Sequence, residues 1–354
     1  MGFTQVLEKV CSLPSDLSES SGLVALSSNL FISHNDGGNA PELFLFDSSG
    51  ILERTIYIAN VKNTDWEDMA MDDSGNLYIG DFGNNNQTRK DLKIYKILPM
   101  NMWQSDTVYA DSIVFSFADQ KQYPPTKNRL VYDCEAMACA NDSIYLFTKN
   151  WSDPFSGYTY MYVLPAEVGE YDLHPRDSAS LGNIKEFYWV TGACVRNHHL
   201  YLIGTTFVWD FDWSVVKQLN TWKTYETKHI SQKEAIDILD DNIYITDENT
   251  GEFGNLYRMT VPKNSGVSES LKRFEVQLVK NGHGWVLLNP SSVKLSIELF
   301  SMDGKRLGQI HSTFEVILVE EKFISLCTLK PGLYGLHITG SDGPLFDSKI
   351  TITE

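Results

Sequence analysis

No apolar run in this 354-residue chain approaches the roughly 18 residues that a membrane-crossing helix needs. The five cysteines, Cys11, Cys134, Cys139, Cys194 and Cys327, include no Cys-x-x-Cys pair, and His198-His199 are the sole adjacent histidines. That pattern argues against zinc and against a disulfide framework, and it fits free thiols acting as small buried apolar groups. Basic residues are few and unclustered. With 29 Lys and Arg against 46 Asp and Glu, the formal net charge is −17. Nucleic acid and anionic membranes are therefore poor partners, and cations or neutral ligands better ones. Neither a Gly-x-Ser-x-Gly elbow nor a phosphate-cradling glycine loop is present. Stretches of helical period are nearly missing. No signal peptide is visible, so an export signal, if one existed, is expected to have been removed or replaced.

What is abundant is short strands, turns and aromatics, the last at 12% of the chain. Five times an oxygen-bearing side chain opens a small or apolar run, and a polar residue closes the next strand fourteen positions on. The pairs are Ser21 with Asn35, Glu67 with Asp81, Glu135 with Lys149, Thr191 with Thr205, and Glu234 with Glu248. The openers lie 46, 68, 56 and 43 residues apart. Such spacing matches propeller blades of four strands with unequal loops. Because antiparallel strands return to the face they left, each opener should neighbour its partner. The reading is an all-β, five-bladed β-propeller over 1–264. Its inner strands should crowd the axis, where Gly22, Ala136, Gly192 and Ala235 fit. The fifth unit lacks a fourth strand, so Thr4–Leu13 is expected to supply it and close the ring.

After a linker over 265–273, residues 274–354 read as seven short strands with turns at Asn281-Gly282, Asp303-Gly304, Pro331-Gly332 and Ser341-Asp342-Gly343. Their number and rhythm suit an immunoglobulin-like β-sandwich. The elements Leu288-Asn289-Pro290, Leu295–Arg306, Leu329-Lys330-Pro331-Gly332-Leu333-Tyr334 and a closing Lys349-Ile350 strand occur in that order. They resemble the carboxy-terminal sorting domain of type IX secretion substrates, although the final Thr351-Ile352-Thr353-Glu354 lacks that family's usual basic end. The resemblance implies recognition by outer-membrane secretion machinery and a secreted or cell-surface protein.

The openers should gather Glu67, Glu135 and Glu234 with the hydroxyls of Ser21 and Thr191. Three carboxylates so close need a cation or shared protons, and oxygen-only donors suit Ca2+. Each could instead cap backbone amides of a neighbouring blade. The succession Ser21-Gly22-Leu23, Glu67-Asp68-Met69-Ala70, Glu135-Ala136-Met137-Ala138, Thr191, Glu234-Ala235-Ile236 resembles the calcium-activated nucleotidases, or apyrases. That likeness implies one central Ca2+ on those five residues, Thr191 standing where the family has serine. The run Trp66-Glu67-Asp68-Met69-Ala70 with Gly80-Asp81-Phe82-Gly83-Asn84-Asn85 also resembles bacterial propellers of no established reaction.

Around the same mouth a second set is expected to bind ligand: His34, Asn35, Asp36, Asp81, Asn84, Arg89, Lys149, Thr205 and Glu248. Arg89 and Lys149 could hold an anion, and His34 or Asp81 could act as general base. Three functions follow: a ligand-binding module for a small molecule, glycan or peptide; a calcium-dependent hydrolase, nucleotidase-like or less readily lactonase-like; or a structural surface module.

Overall fold

The computed structural model describes residues 3–4, 7–214, 217–227, 229, 231–248 and 254–260, and seven strands between 277 and 352. Residues 1–263 and 264–354 form two compact units. The linker over 265–273 lies outside the described residues.

The first unit contains five blades. Blade I comprises Ser20–Ser27, Leu30–Asn35, Glu42–Asp47 and Leu52–Ile58. Blade II comprises Trp66–Met71, Leu77–Asp81, Lys93–Ile97 and Ala110–Phe117. Blade III comprises Asp133–Ala140, Ser143–Lys149, Tyr158–Pro165 and Asp177–Ser180. Blade IV comprises Gly192–Arg196, His199–Ile203, Phe207–Asp212 and Trp222–Glu226. Blade V comprises Gln232–Leu239, Asn242–Glu248, Asn255–Thr260 and, from the amino-terminal segment, Glu8–Ser12. Each innermost strand packs on the next, and that of blade V returns to that of blade I.

Both faces of every blade are buried, so the strands read as almost continuous apolar runs. Alternate residues serve opposite neighbours, as the pleat requires. In blade III, Met137, Cys139, Ile144 and Leu146 pack toward blade II, whereas Ala136, Ala138, Tyr145 and Phe147 pack toward blade IV. Gly192 stands where inner strands come closest. A Cβ there would lie 2.7 Å from the Glu234 carbonyl oxygen, so no larger residue fits without moving blade V.

Closure follows the expected route with one difference. Glu8–Ser12 pairs antiparallel with Asn255–Thr260 on the outer edge of blade V, and Leu13 N–H donates to the Gly254 carbonyl at 2.8 Å. Cys11 and Leu13 then join the cluster between blades V and I, where Phe31 meets Tyr244. Phe3–Thr4, however, pairs in parallel with Trp222–Glu226 of blade IV. The segment thus spans two blades. The long second unit hides no sixth blade. Its Thr107–Val108 pairs in parallel with Leu52–Ile58 of blade I, and Gly169–Leu173 of the third unit does the same on Ala110–Phe117 of blade II. These added strands cover edges that would otherwise be open to pairing.

The second unit has two antiparallel sheets. One orders Gln277–Asn281, Gly284–Leu288 and Val316–Leu318; the other orders Arg306–Ser312, Leu295–Ser301, Gly332–Gly340 and Gly343–Ile352.

The closure argument makes a stability prediction. Leu13 is 3% exposed, so Leu13→Ala should cost about 2–5 kcal/mol in urea unfolding of the chain. Glu8→Ala, which removes an exposed pair with Arg258, should cost less than about 1 kcal/mol. Equal effects would contradict closure by packing.

Candidate functional site

Four of the five openers fall at a break in strand register. Pairing skips from Ser20 to Gly22, from Trp66 to Met69, from Cys134 to Ala136 and from Lys233 to Ala235, which leaves Ser21, Glu67, Glu135 and Glu234 as bulged residues. A bulge bends the strand and re-aims the extra side chain. The fourteen-residue partners are therefore offset from the openers in backbone register, although Lys149 still reaches Glu135 through its side chain. Asn35 pairs with Ser20, Asp81 with Trp66, Lys149 with Asp133, and Glu248 with Gln232. Thr191 precedes its strand, and its hydroxyl donates to the Lys233 carbonyl at 2.5 Å. All five openers are buried.

The three glutamates are near enough to act on one another, and a cation sits among them. Lys149 Nζ lies 3.1 Å from Glu135 Oε2. Burial alone would lower the lysine's pKa, but Glu135, Glu234, Asp133 and Glu67 together raise it above the usual range. Glu234 is pushed up to about 8, first by burial, with Lys149 opposing and Glu135 adding to the rise. Glu67 is held well above the ordinary carboxylate range by burial and then by Glu135, Asp36 and Asp133. An ammonium thus takes up part of the charge that the sequence reading gave to calcium. The five openers as one cage fit a metal poorly for that reason: a cation centred on them would face Lys149, and the Thr191 hydroxyl proton is already directed at a carbonyl.

A tighter oxygen cluster lies beside this group. Asp36, Asp65 and Glu67 each offer a carboxylate oxygen, all within 4.8 Å of one another. Asp36 follows the second strand of blade I, and Asp65 and Glu67 bracket the start of blade II. Gly83 makes the room: a Cβ there would lie 2.0 Å from Glu67 Oε1 and 2.6 Å from the Asp65 carboxyl carbon. Among the described residues none of the three carboxylates forms an ion pair. Burial pushes Asp36 up to about 6 against a hydrogen bond from Gly37 N–H, with Glu135 and Asp65 adding to the rise. Asp65 is raised as well, by burial, with Arg89 opposing.

The remaining expected ligand residues divide. His34 is fully buried edge-on to Trp66, and burial lowers its pKa to about 4. Asn35 accepts from Glu19 N–H and donates to the Asp16 carbonyl. Asp81 is also fully buried, paired with Arg89 at 2.9 Å and accepting from Asp65 N–H and the Tyr95 hydroxyl. Arg89 in turn donates to the carbonyls of Gly83 and Asp81, and Asn84 accepts from Arg89 N–H. These five build the scaffold behind the cluster, and neither foreseen general base reaches open space. The Thr205 carbonyl accepts from Lys233 Nζ at 2.7 Å. Glu248 stays at the mouth, where burial raises it to about 7, helped by Asp36 and Glu19.

Deeper on the axis, Asp68 accepts from Met69, Met137 and Ala193 N–H groups at 2.8, 2.8 and 3.0 Å, tying blades II, III and IV. Asp237 of blade V does likewise for Ala25 of blade I at 2.9 Å. A small axial opening lies at the opposite end of the inner strands, between Leu23, Met71, Cys139, Val195 and Asp237.

Sequence reasoning missed Asp65, Asp133 and Trp189. A signal existed, since the position two before each opener holds Glu19, Asp65, Asp133, Trp189 and Gln232. Residues two apart share a strand face, so a second tier follows from the first.

The raised carboxyl groups fix a pH dependence. Their folded pKa values, about 6 for Asp36, 7 for Glu248 and 8 for Glu234, exceed the ordinary 3.8 and 4.5. The folded state then holds more protons, so their contribution is full at low pH and lost as pH rises through those values. In chelator-treated buffer the melting temperature should fall between about pH 5 and about pH 8. A flat or rising profile would contradict the clustering.

No family model and no curated protein matches the chain. Among solved structures it is similar to the glutaminyl cyclase of Myxococcus xanthus, at 10% identity over 74% of this chain and 100% of that one, with a TM-score of 0.44. It is similar to the α-L-arabinofuranosidase of Podospora anserina at 10% identity, over 74% and 98%, with a TM-score of 0.43. A match over 94% of this chain covers 51% of PorZ, a surface component of the type IX secretion system of Porphyromonas gingivalis, at 12% identity and a TM-score of 0.28.

Proposed function

We propose that this protein is an exported ligand-binding propeller, secreted or held at the cell surface, whose channel mouth takes cations. Ca2+ is assigned to Asp36, Asp65 and Glu67, with Glu135 paired to Lys149 beside them. The observation that carries this reading is the approach of three carboxylates within 4.8 Å without a basic partner among the described residues. Oxygen-only donors of this charge favour Ca2+ over transition metals. The ion would supply the opposing charge and join the loop between the second and third strands of blade I to the entry of blade II. The ligand is a small molecule, glycan or peptide presenting a cationic or polar group to the mouth. Hydrolysis has less support, because His34 and Asp81 are enclosed. For export, the order of elements in 274–354 supports recognition by the type IX outer-membrane machinery and an immunoglobulin-like arrangement of the tail.

Calorimetric titration of the chelator-treated protein tests the metal. One Ca2+ should bind, with a Kd of about 10⁻⁴–10⁻³ M, the range of extracellular modules. Asp65→Asn should weaken binding by about tenfold or more, and Glu42→Gln, on an outer strand, should leave it unchanged. Absence of binding to the unaltered chain would return the structural-module reading to the front.

A further inference from the structure

We propose that the Trp151–Trp189 pair at the mouth is a receptor for an organic ammonium group, and that Lys185 occupies it as an internal stand-in. The two rings lie with centroids 4.5 Å apart, tilted by 46°. Both are fixed by their indole N–H groups. Trp151 donates to Asp133 Oδ2 at 2.6 Å, and Trp189 to the Asn150 carbonyl at 2.7 Å. Two ammonium groups already use this pair. Lys149 Nζ stands 5.5 and 5.2 Å from the ring centres of Trp151 and Trp189, held inward by Glu135. Lys185 Nζ stands 4.7 and 5.4 Å from the same centres.

The two lysines differ in how they are held. Lys149 is built into the acidic group, whereas Lys185 has no hydrogen bond or ion pair among the described residues and rides on the short turn Lys185–Tyr188. Its ammonium is held there by the ring faces, which attract cations through their negative π surface. The Asp133 carboxyl group, which accepts from the Trp151 indole N–H, and the Glu135 carboxylate stand behind the pair. An ammonium suits the two ring faces with carboxyl groups behind them, and an anionic ligand does not. A ligand ammonium, from a free amine or a lysine side chain, would displace Lys185. The assignment does not require bound Ca2+.

The test follows the indole N–H resonances of Trp151 and Trp189 while choline is added to the full-length chain, with chelator and with calcium. Both resonances should shift saturably in either condition. Lys185→Ala should tighten binding by about threefold to thirtyfold, the worth of a displaced cation–π contact. Trp189→Leu should abolish it. The carbon isostere of choline, with a tert-butyl group for the trimethylammonium, should bind at least about fivefold more weakly. Nα-acetyl-lysine amide in a parallel titration separates a peptide source from a free amine. Failure of choline and the lysine derivative to bind Lys185→Ala, while its melting shows a folded chain, would overturn the proposal. So would equal binding of the neutral isostere, or retained binding by folded Trp189→Leu.

Discussion

The ring depends on a buried carboxylate that accepts backbone hydrogens from three blades. Asp68 takes N–H groups from its own blade II and from the inner strands of blades III and IV, and Asp237 links blade V to blade I. Hydrogen bonds to a charged acceptor are worth roughly 1.5–3 kcal/mol each, more than ordinary backbone pairs. They also supply partners for amides of the innermost strands, whose axis-facing edge has no further strand to pair with. A propeller axis is where strands crowd and ladders end, so unpaired amides collect there. Here carboxylates satisfy them, and the axis becomes acidic.

Acidity at the axis sets the character of the mouth. Close to this axis, bulges turn Glu67, Glu135 and Glu234 out of the ladder and add to the charge. Lys149 offsets part of the charge from within. Its four-carbon stem lets a residue opposite Asp133 place its ammonium on Glu135. What it leaves over lies on the side of Asp36 and Asp65. The geometry thus separates an internally compensated half, where Lys149 meets Glu135, from the carboxylates of blades I and II, which form no ion pair among the described residues.

Much of the fold was legible because the signals were local. The apolar runs, the fourteen-residue offset and the strand character of the amino terminus each depend on residues near in sequence. The bulges were not legible: a register break at Cys134/Ala136 is a relation between two strands, and Glu135 looks like any strand opener. Hence the offset points to the openers yet sets Lys149 on the rim, whereas its ammonium lies on Glu135. In the sequence His34 and Asp81 read as mouth residues because polar turn chemistry and catalytic chemistry use the same side chains. Their burial against Trp66 and Arg89 arises from neighbouring strands that no single segment reveals. Asp65 and Trp189 were within reach, since alternation along a strand repeats the opener pattern two residues earlier.

The central claim is that the cation belongs beside the axis, on blades I and II, and not at the centre of the five openers. Anomalous diffraction from crystals grown with terbium, a stand-in for calcium, tests this directly. One peak should lie about 2.3–2.6 Å from carboxylate oxygens of Asp36, Asp65 and Glu67, with Lys149 still on Glu135. A peak shared by Glu135 and Glu234 with Lys149 displaced, or no peak in the mouth at all, would contradict it.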